Sequence, residues 1–451
     1  MIDLLLRNAK LVFPREDVRD GAIGVKDGKI AGVHLDGETP EARRTLDVAG
    51  RALFPGIIDP HIHLGVRGDR YDEECLTETR AALKGGITTV GCFLREKGSY
   101  VGKVEDFAKR AESRSFIDIL FHLVILEPAQ ISDIPMLADR YGNPAFKFYL
   151  HSIPQIPVMD PDNLIRGFEV IAGLPRPGLA CVHAEDHEMC VEGMKRLKAA
   201  ENPTALADWM SASPDGAEGK AVRFLAAAAQ KTGARVYIVH LSSAPGLEAV
   251  REAKAAGAPL FCESTSTYLF FETTDPAGMM LRRQPPVRSP ADRAALWTGV
   301  ADGAIETLGT DNVTANAEES NFTGTFWENR GGMPCLPWHT AQILHMGIHE
   351  HGLPLPLLAD RMSRRPAEIF GLYPRKGSFE IGADADLAII DPDLEKVVRG
   401  AEDGSRAEFT PMEGRMLKGW PVTVVKGGEV VVEEGELVTD PGIGRCLNRI
   451  P

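Results

Sequence analysis

Apolar and polar positions change rhythm twice along this chain. In residues 1–52, the runs "LLLRNAKLVF", "GAIGVKDGKIAGV" and "RTLDV" are rich in leucine and β-branched residues and are broken by Asp-Gly. That pattern predicts short strands joined by tight turns. The same rhythm returns in residues 376–451, in "GSFEIGADADLAIID" and "PVTVVKGGEVVVEEGEL". Two ends of like pattern predict one small β-domain that they build together, with residues 53–375 as a different unit. In that middle, apolar runs alternate with helical stretches. The runs are "FPGIIDPHIH", "ITTVGCFL", "IDILFHLVIL", "AFKFYL", "LACVHAED", "RVYIVHLSS", "PLFCESTSTY" and "AIETLGTD". Between them lie "DEECLTETRAALKGG", "VEDFAKRAESR", "GAEGKAVRFLAAAAQKTG" and "LEAVREAKAAG", the first stopped by Gly85-Gly86. Near-continuous apolar strands alternating with helices predict a parallel sheet covered by helices, an α/β fold. Eight units favour a (β/α)8 barrel over an open doubly wound sheet.

Composition narrows this picture only a little. The chain has 451 residues, 44% of them hydrophobic, enough for a large barrel and a smaller unit. A formal net charge of −14 argues against a nucleic-acid partner. The seven cysteines, at 75, 92, 181, 190, 262, 335 and 446, form no C-x-x-C pair and are odd in number, which suits a reducing cytoplasm better than a disulfide framework. The start, "MIDLLLRNAKLVF", does not read as a signal peptide, and no apolar run approaches the ~18 residues of a membrane span. Neither G-x-G-x-x-G after the first strand nor G-x-x-x-x-G-K-[ST] is present, which weakens nucleotide-binding readings.

Barrel enzymes carry their chemistry at the C-terminal ends of the strands. Strand one ends in Asp59-Pro60-His61-Ile62-His63, strand five in His183, strand six in His240 and strand eight in Asp311; strand four carries Lys147. Residues i and i+2 of a strand share a face, so His61 and His63 present two imidazoles to one point. Neutral imidazoles hold divalent metals. An isolated H-x-H also suits ordinary core or surface histidines; His183, His240 and Asp311 at other strand ends are what favour a metal site. Lys147 lies in the apolar run "AFKFYL", where a charged, unpaired ammonium is costly. It is either salt-bridged to a nearby carboxylate or a neutral amine of lowered pKa that can react with CO2. The resulting carbamate is anionic, with two oxygens that could bridge two metals.

Taken together, "PGIIDPHIHLG", the lysine on strand four, "VHAED", "VHLSS", "PPVR", "GTDN" and "RRPAEIFGLYPRKGSFEIGADADLAIID" resemble the cyclic amidohydrolases of the amidohydrolase superfamily. These are the dihydropyrimidinases or hydantoinases, the allantoinases and the dihydroorotases. The resemblance spans nearly the whole chain. It implies a (β/α)8 TIM-like barrel with a small β-sandwich built from both chain ends. It also implies two divalent metal ions, zinc foremost, with manganese or iron also suited to His and carboxylate ligands. His61 and His63 would bind the more buried ion, N6-carboxylated Lys147 would bridge both, and His183 and His240 would hold the second. Asp311 would ligate the first and shuttle a proton. The implied reaction opens a cyclic amide, imide or ureide by attack of metal-bridging hydroxide, with Asp311 as general base and then general acid. A small-molecule substrate and a homo-oligomer, dimer or tetramer, are implied as well.

Substrate-side positions depart from the relatives. Hydantoinases usually carry a tyrosine five residues after the bridging lysine, where this chain has Ser152 preceded by His151. Dihydroorotases carry an arginine two residues after the second metal histidine, where this chain has Gly65, and a Met-Pro-Asn segment after strand two, where it has "CFLRE". The usual histidine after the strand-eight aspartate is Asn312. Arg95 is a candidate for gripping a carboxylate or carbonyl oxygen, or else a rim arginine in a salt bridge with Glu96 or another acid. His151 is a candidate oxyanion donor or a structural histidine. The resemblance points to Gln284 and Gly331 for backbone contacts to the substrate amide. His122, His187, His345, His349 and His351 are expected to be structural, and Glu73-Glu74 and Glu318-Glu319 to be solvated faces. Dihydroorotase- or allantoinase-type activity is the alternative reading. A non-catalytic dihydropyrimidinase-like scaffold is the other, and it is disfavoured because all six ligand positions are present.

Overall fold

The computed structural model describes residues 1–35, 37, 39–142, 145–153, 156–200, 203–322 and 326–448. All eight apolar runs of the middle region form strands of one parallel sheet: β1 (Ile57–His63), β2 (Ile87–Leu94), β3 (Asp118–Val124), β4 (Phe146–Tyr149), β5 (Ala180–His183), β6 (Val236–Ile238), β7 (Leu260–Thr265) and β8 (Thr307–Gly309). Each lies beside its neighbour in chain order. β8 pairs with β7, and after Thr310 and Asp311 the chain pairs again, Asn312 and Val313 lying against Ile62 and His63 of β1. The sheet thus closes on itself as a (β/α)8 barrel. Every residue of β2, β4 and β5 is buried, as strands covered on both faces require.

Helices sheath the barrel. Tyr71–Lys84 follows β1 and stops at Gly85, whose N–H donates to the Ala81 carbonyl; Gly86 then turns the chain at φ 84°. Lys103–Glu112, Asp215–Thr232 and Ala244–Ala255 stand where the other helical stretches were expected. One boundary differs. The run "PLFCESTSTY" is strand only to Thr265, and Ser266–Phe270 is helical. Thr265 pairs with Gly309, the last residue of β8, so a longer β7 would have no neighbour to bond.

The chain ends meet in a separate nine-stranded mixed sheet. Its seam is Ala52–Pro55 antiparallel to Leu387–Ile390, with Leu53 opposite Ile389. Alternation gives this seam two jobs. Leu53, Leu387 and Ile389 join a core of their own with Leu4, Leu6, Leu11, Ile23 and Val425. Ala52, Phe54, Ala388 and Ile390 face the other way, into the barrel's core. Lys376 reinforces the junction, its Nζ 2.5 Å from Asp118 at the start of β3 and 2.5 Å from Asp386. Lys426 adds a second contact to Asp118 at 2.8 Å. The acidic trio Asp118, Asp384 and Asp386 therefore already has its cations, at the end of the barrel away from the strand C-termini.

Candidate metal centre

β1 delivers His61 and His63 to the barrel mouth as its alternation requires. The Nε2 atoms of both approach Asp311 Oδ1 at 3.2 Å. His61 Nε2 makes no aligned hydrogen bond there, although it is buried. Asp311 sits in the break within the eighth strand, at φ 51°, with its N–H donating to the His61 carbonyl over 2.8 Å. Strained positive-φ backbone on a non-glycine residue marks a position whose side-chain direction matters. Burial alone would raise the Asp311 carboxyl, but the facing His61 and His63 and the Arg283 guanidinium outweigh it and hold it well below the usual range. Burial pushes the His61 imidazole well down, so it stands neutral, the ligating form.

His183 and His240 form the second group. His183 Nδ1 lies 3.0 Å from His240 Nε2. His240 also takes positive φ, 44°, and burial pushes its pKa well down. The two groups are one cluster, since the His61 and His240 rings stack with centroids 5.5 Å apart. Between them β4 inserts Lys147, fully buried, its Nζ 4.9 Å from the centre of the Phe93 ring and 5.3 Å from that of Tyr149. Among the described residues that Nζ has no hydrogen-bond partner. Among the described residues no carboxylate reaches it at salt-bridge distance, so the ion-pair alternative for Lys147 finds no partner. Burial lowers its pKa to about 8. A buried, unpartnered ammonium costs several kcal/mol. A neutral amine carrying a carboxyl group would remove that cost. Inward-facing imidazoles, one carboxylate and an orphaned amine make a donor set suited to divalent cations.

Two buried carboxylates that the strand-end reading passed over support the histidines. Glu263, on β7, places Oε2 3.1 Å from His61 Nδ1 and accepts the His240 N–H at 3.3 Å. It fixes Nε2 of His61 as the free nitrogen. Glu185 Oε2 lies 2.5 Å from His183 Nε2 and does the same for Nδ1. Asp59 accepts from the His61 and Thr310 N–H groups, both at 3.1 Å, and from the Thr310 hydroxyl, tying β1 to the break in strand eight. Glu263 is the one acid in the apolar stretch "PLFCEST", a signal that was available in the sequence. Glu263→Gln is expected to weaken metal retention about 10- to 100-fold. Metal content after dialysis against graded chelator measures this, and retention equal to wild type would refute the orienting role.

The substrate-side candidates spread around the rim. Arg95 follows β2 and lines a cavity of about 450 Å³ with Leu64, Val66, Tyr71, Leu94 and Phe107. Its neighbour Glu96 pairs with Lys103 at 2.8 Å. His151 Nδ1 lies 3.2 Å from His187 Nδ1, and burial lowers the His151 pKa to about 4. Gln284 donates Nε2 to both oxygens of Glu185, at 2.8 and 2.7 Å. Gly331 donates its N–H to Asn329 Oδ1, and its carbonyl accepts from Arg67. Gly65 could not carry the dihydroorotase-type arginine on this backbone: at φ 72° an added Cβ would lie 2.9 Å from that of Tyr71. Asn312 is structural, bonded to Thr314 and to the Cys335 N–H.

One expectation fails. Glu74 is fully buried, not a solvated face: it accepts the Gly65 N–H at 2.6 Å and the Arg406 guanidinium at 2.7 Å. Glu319 is drawn in by the same arginine. Helical position alone could not show this, because Arg406 reaches them from the far C-terminal segment. Of the other histidines, His345, His349 and His351 have ordinary partners, whereas both ring nitrogens of the buried His122 lack a hydrogen-bond partner among the described residues. His345 accepts the Lys418 N–H, His349 bonds the Pro392 carbonyl, His351 stacks on Trp297, and His122 packs against Phe93 and Phe370.

Known proteins resemble this chain along its length. An L-hydantoinase of Paenarthrobacter aurescens is 29% identical over 469 residues, covering 100% of this chain and 98% of that protein. An allantoinase of Streptomyces avermitilis is 32% identical over 462 residues, covering 100% and 99%. The solved structure of an L-hydantoinase (dihydropyrimidinase) from Arthrobacter aurescens superposes with a TM-score of 0.91 at 28% identity, over 99% of each chain. The profile of the amidohydrolase family matches residues 180–431, which hold β5 to β8 and so His183, His240 and Asp311. With a closed barrel, a joint terminal sheet and this profile in one chain, the protein belongs to the amidohydrolase family.

Proposed function

We propose that this protein is a binuclear metal-dependent hydrolase that opens a cyclic amide, imide or ureide ring, in the manner of a dihydropyrimidinase or hydantoinase. The observation that carries the reading is the convergence of His61, His63, His183, His240 and Asp311 around the orphaned Lys147 amine. His61, His63 and Asp311 would hold one divalent cation and His183 and His240 the other. Lys147, as its carbamate, would supply an oxygen to each. Zinc is the proposed metal. When bound, such a pair supplies a water of lowered pKa and polarises the substrate carbonyl.

The chain's own residues do the rest. Asp311 accepts the proton of the attacking water through its carboxylate and returns it to the departing ring nitrogen. The water oxygen bonds the carbonyl carbon, the C–N bond breaks, and a ring-opened acid leaves. Glu263 and Glu185 keep the imidazole tautomers fixed throughout. Arg95, His151, Gln284 and Gly331 are proposed to face the substrate, with His151 standing in for the absent tyrosine as oxyanion donor. An allantoinase-type substrate is the second reading, favoured by the 32% identity to an allantoinase.

A panel of dihydrouracil, hydantoin, allantoin, dihydroorotate and simple cyclic imides tests the reaction, with ring opening followed by product analysis. At least one should be opened, and activity should vanish on chelation and return with zinc. Full activity in chelator, by a protein without stoichiometric metal, would remove the proposal.

A further inference from the structure

We propose that Gln284 is a positioning residue for His183: its side-chain amide, carried on the rim segment 282–288, anchors Glu185, and Glu185 in turn fixes the imidazole that is read above as a ligand of the second cation. The assignment rests on that reading. Glu185 is fully buried, two residues beyond His183. Among the described residues, three side chains converge on its carboxylate. His183 Nε2 meets Oε2 at 2.5 Å, the Ser213 hydroxyl donates to Oε1, and Gln284 Nε2 stands 2.8 Å from Oε1 and 2.7 Å from Oε2. A carboxylate only accepts, so Gln284 turns its NH2 group, not its carbonyl, toward Glu185. By the same rule His183 carries its hydrogen on Nε2, and Nδ1 keeps its lone pair free, 3.0 Å from His240 Nε2. Because Gln284 reaches both oxygens, any turn of the carboxylate away from His183 breaks a bond to it.

The rest of the segment is held without this side chain. The Trp209 indole N–H donates to the Arg283 carbonyl and the Tyr268 hydroxyl to the Pro285 carbonyl, each at 2.7 Å. Arg288 donates to the Ser213 carbonyl and, at 3.0 Å, to the Ser242 hydroxyl. Ser213 ends the helix Leu206–Ala212, so these bonds already join the excursion after β5 to the rim segment. Trimming Gln284 therefore removes the brace on Glu185 and leaves the segment seated. With the side chain spent on Glu185, only the backbone of Gln284 is left to face the substrate. A carboxylate behind a ligating imidazole sets the ring's direction and basicity. A buried carboxylate deprived of one donor is costly and freer to turn. His61 is braced separately, by Glu263. The effect of losing Gln284 should thus fall on one cation of the two.

The test measures zinc per chain after dialysis against graded chelator, in wild type, Gln284→Glu, Gln284→Ala and the exchanged pair Glu185→Gln/Gln284→Glu. Gln284→Glu sets a second carboxylate against the first and should give up one of the two ions at about 10- to 100-fold weaker chelation. A zinc-edge anomalous map should show the ion that stays at His61 and His63. In the exchanged pair the amide at 185 accepts from His183 and donates to the carboxylate at 284, so most of the lost retention should return. On the best substrate of the panel, kcat of Gln284→Glu should fall with the lost ion while KM holds. Melting curves verify folding, and Gln284→Ala, expected to lose the same ion, serves if Gln284→Glu does not fold. Wild-type retention in both single variants, equal loss of both ions, no recovery in the exchanged pair, or a raised KM with metal content unchanged would overturn the assignment. A wild-type chain that takes up no zinc would instead defeat the metal reading itself, and the assignment with it.

Discussion

Lys147→Met is expected to lower kcat/KM by about 10²–10³-fold or more, the scale seen when one preorganised electrostatic partner is lost. Bound metal should fall below two ions per chain, and the wild-type mass should exceed that of the bare chain by one CO2, an excess the variant lacks. The argument starts from solvation. Lys147 is fully buried between Phe93 and Tyr149, and among the described residues its Nζ has no hydrogen-bond partner. Methionine nearly preserves the volume and removes a charge that has no partner. Thermal stability of the metal-free protein should therefore hold or rise while activity collapses. A purely structural lysine would show the opposite order. The pH dependence has a definite sign. Burial lowers the ammonium to about 8, so the reactive neutral amine grows as pH rises through that value. Reactivation of stripped protein by zinc and bicarbonate should accelerate from pH 6.5 toward about 8 and level off above it. Wild-type turnover and metal content in Lys147→Met would exclude the bridging role.

Asp311→Asn is the second large expectation, a fall in kcat of about 10²–10⁴-fold, the usual worth of a positioned general acid or base. Three contacts converge on this carboxylate: both histidines of β1 reach Oδ1 at 3.2 Å, and Arg283 holds Oδ2 at 2.5 Å. The residue pays for that position with φ 51°. Asparagine keeps the shape and tolerates the backbone, since Asn is among the residues that enter the left-handed region most readily. It cannot take a proton from water. The loss should thus fall on kcat far more than on KM. Steady-state kinetics on the best substrate of the panel measures the split, and a kcat within a few-fold of wild type would end the proton-shuttle assignment.

Much of this architecture was legible in order along the chain. Near-continuous apolar runs such as "ITTVGCFL", alternating with stretches such as "DEECLTETRAALKGG", can be read as strands and helices because their periodicities are local. The spacing of His61 and His63 placed two imidazoles on one face for the same reason. Other features depend on which distant segments meet. The pairing of Asn312 and Val313 with β1, which closes the barrel, joins residues about 250 positions apart. Glu263 meets His61 across 202 positions and Arg406 meets Glu74 across 332. Arg283 was one basic residue before "PPVR" until the fold set it against Asp311. Local composition determined the elements, their order and the kinds of ligand available. Tertiary packing decided which charges were buried together and which were left unpaired, because desolvation and Coulomb energy depend on distance in space and not on separation along the chain.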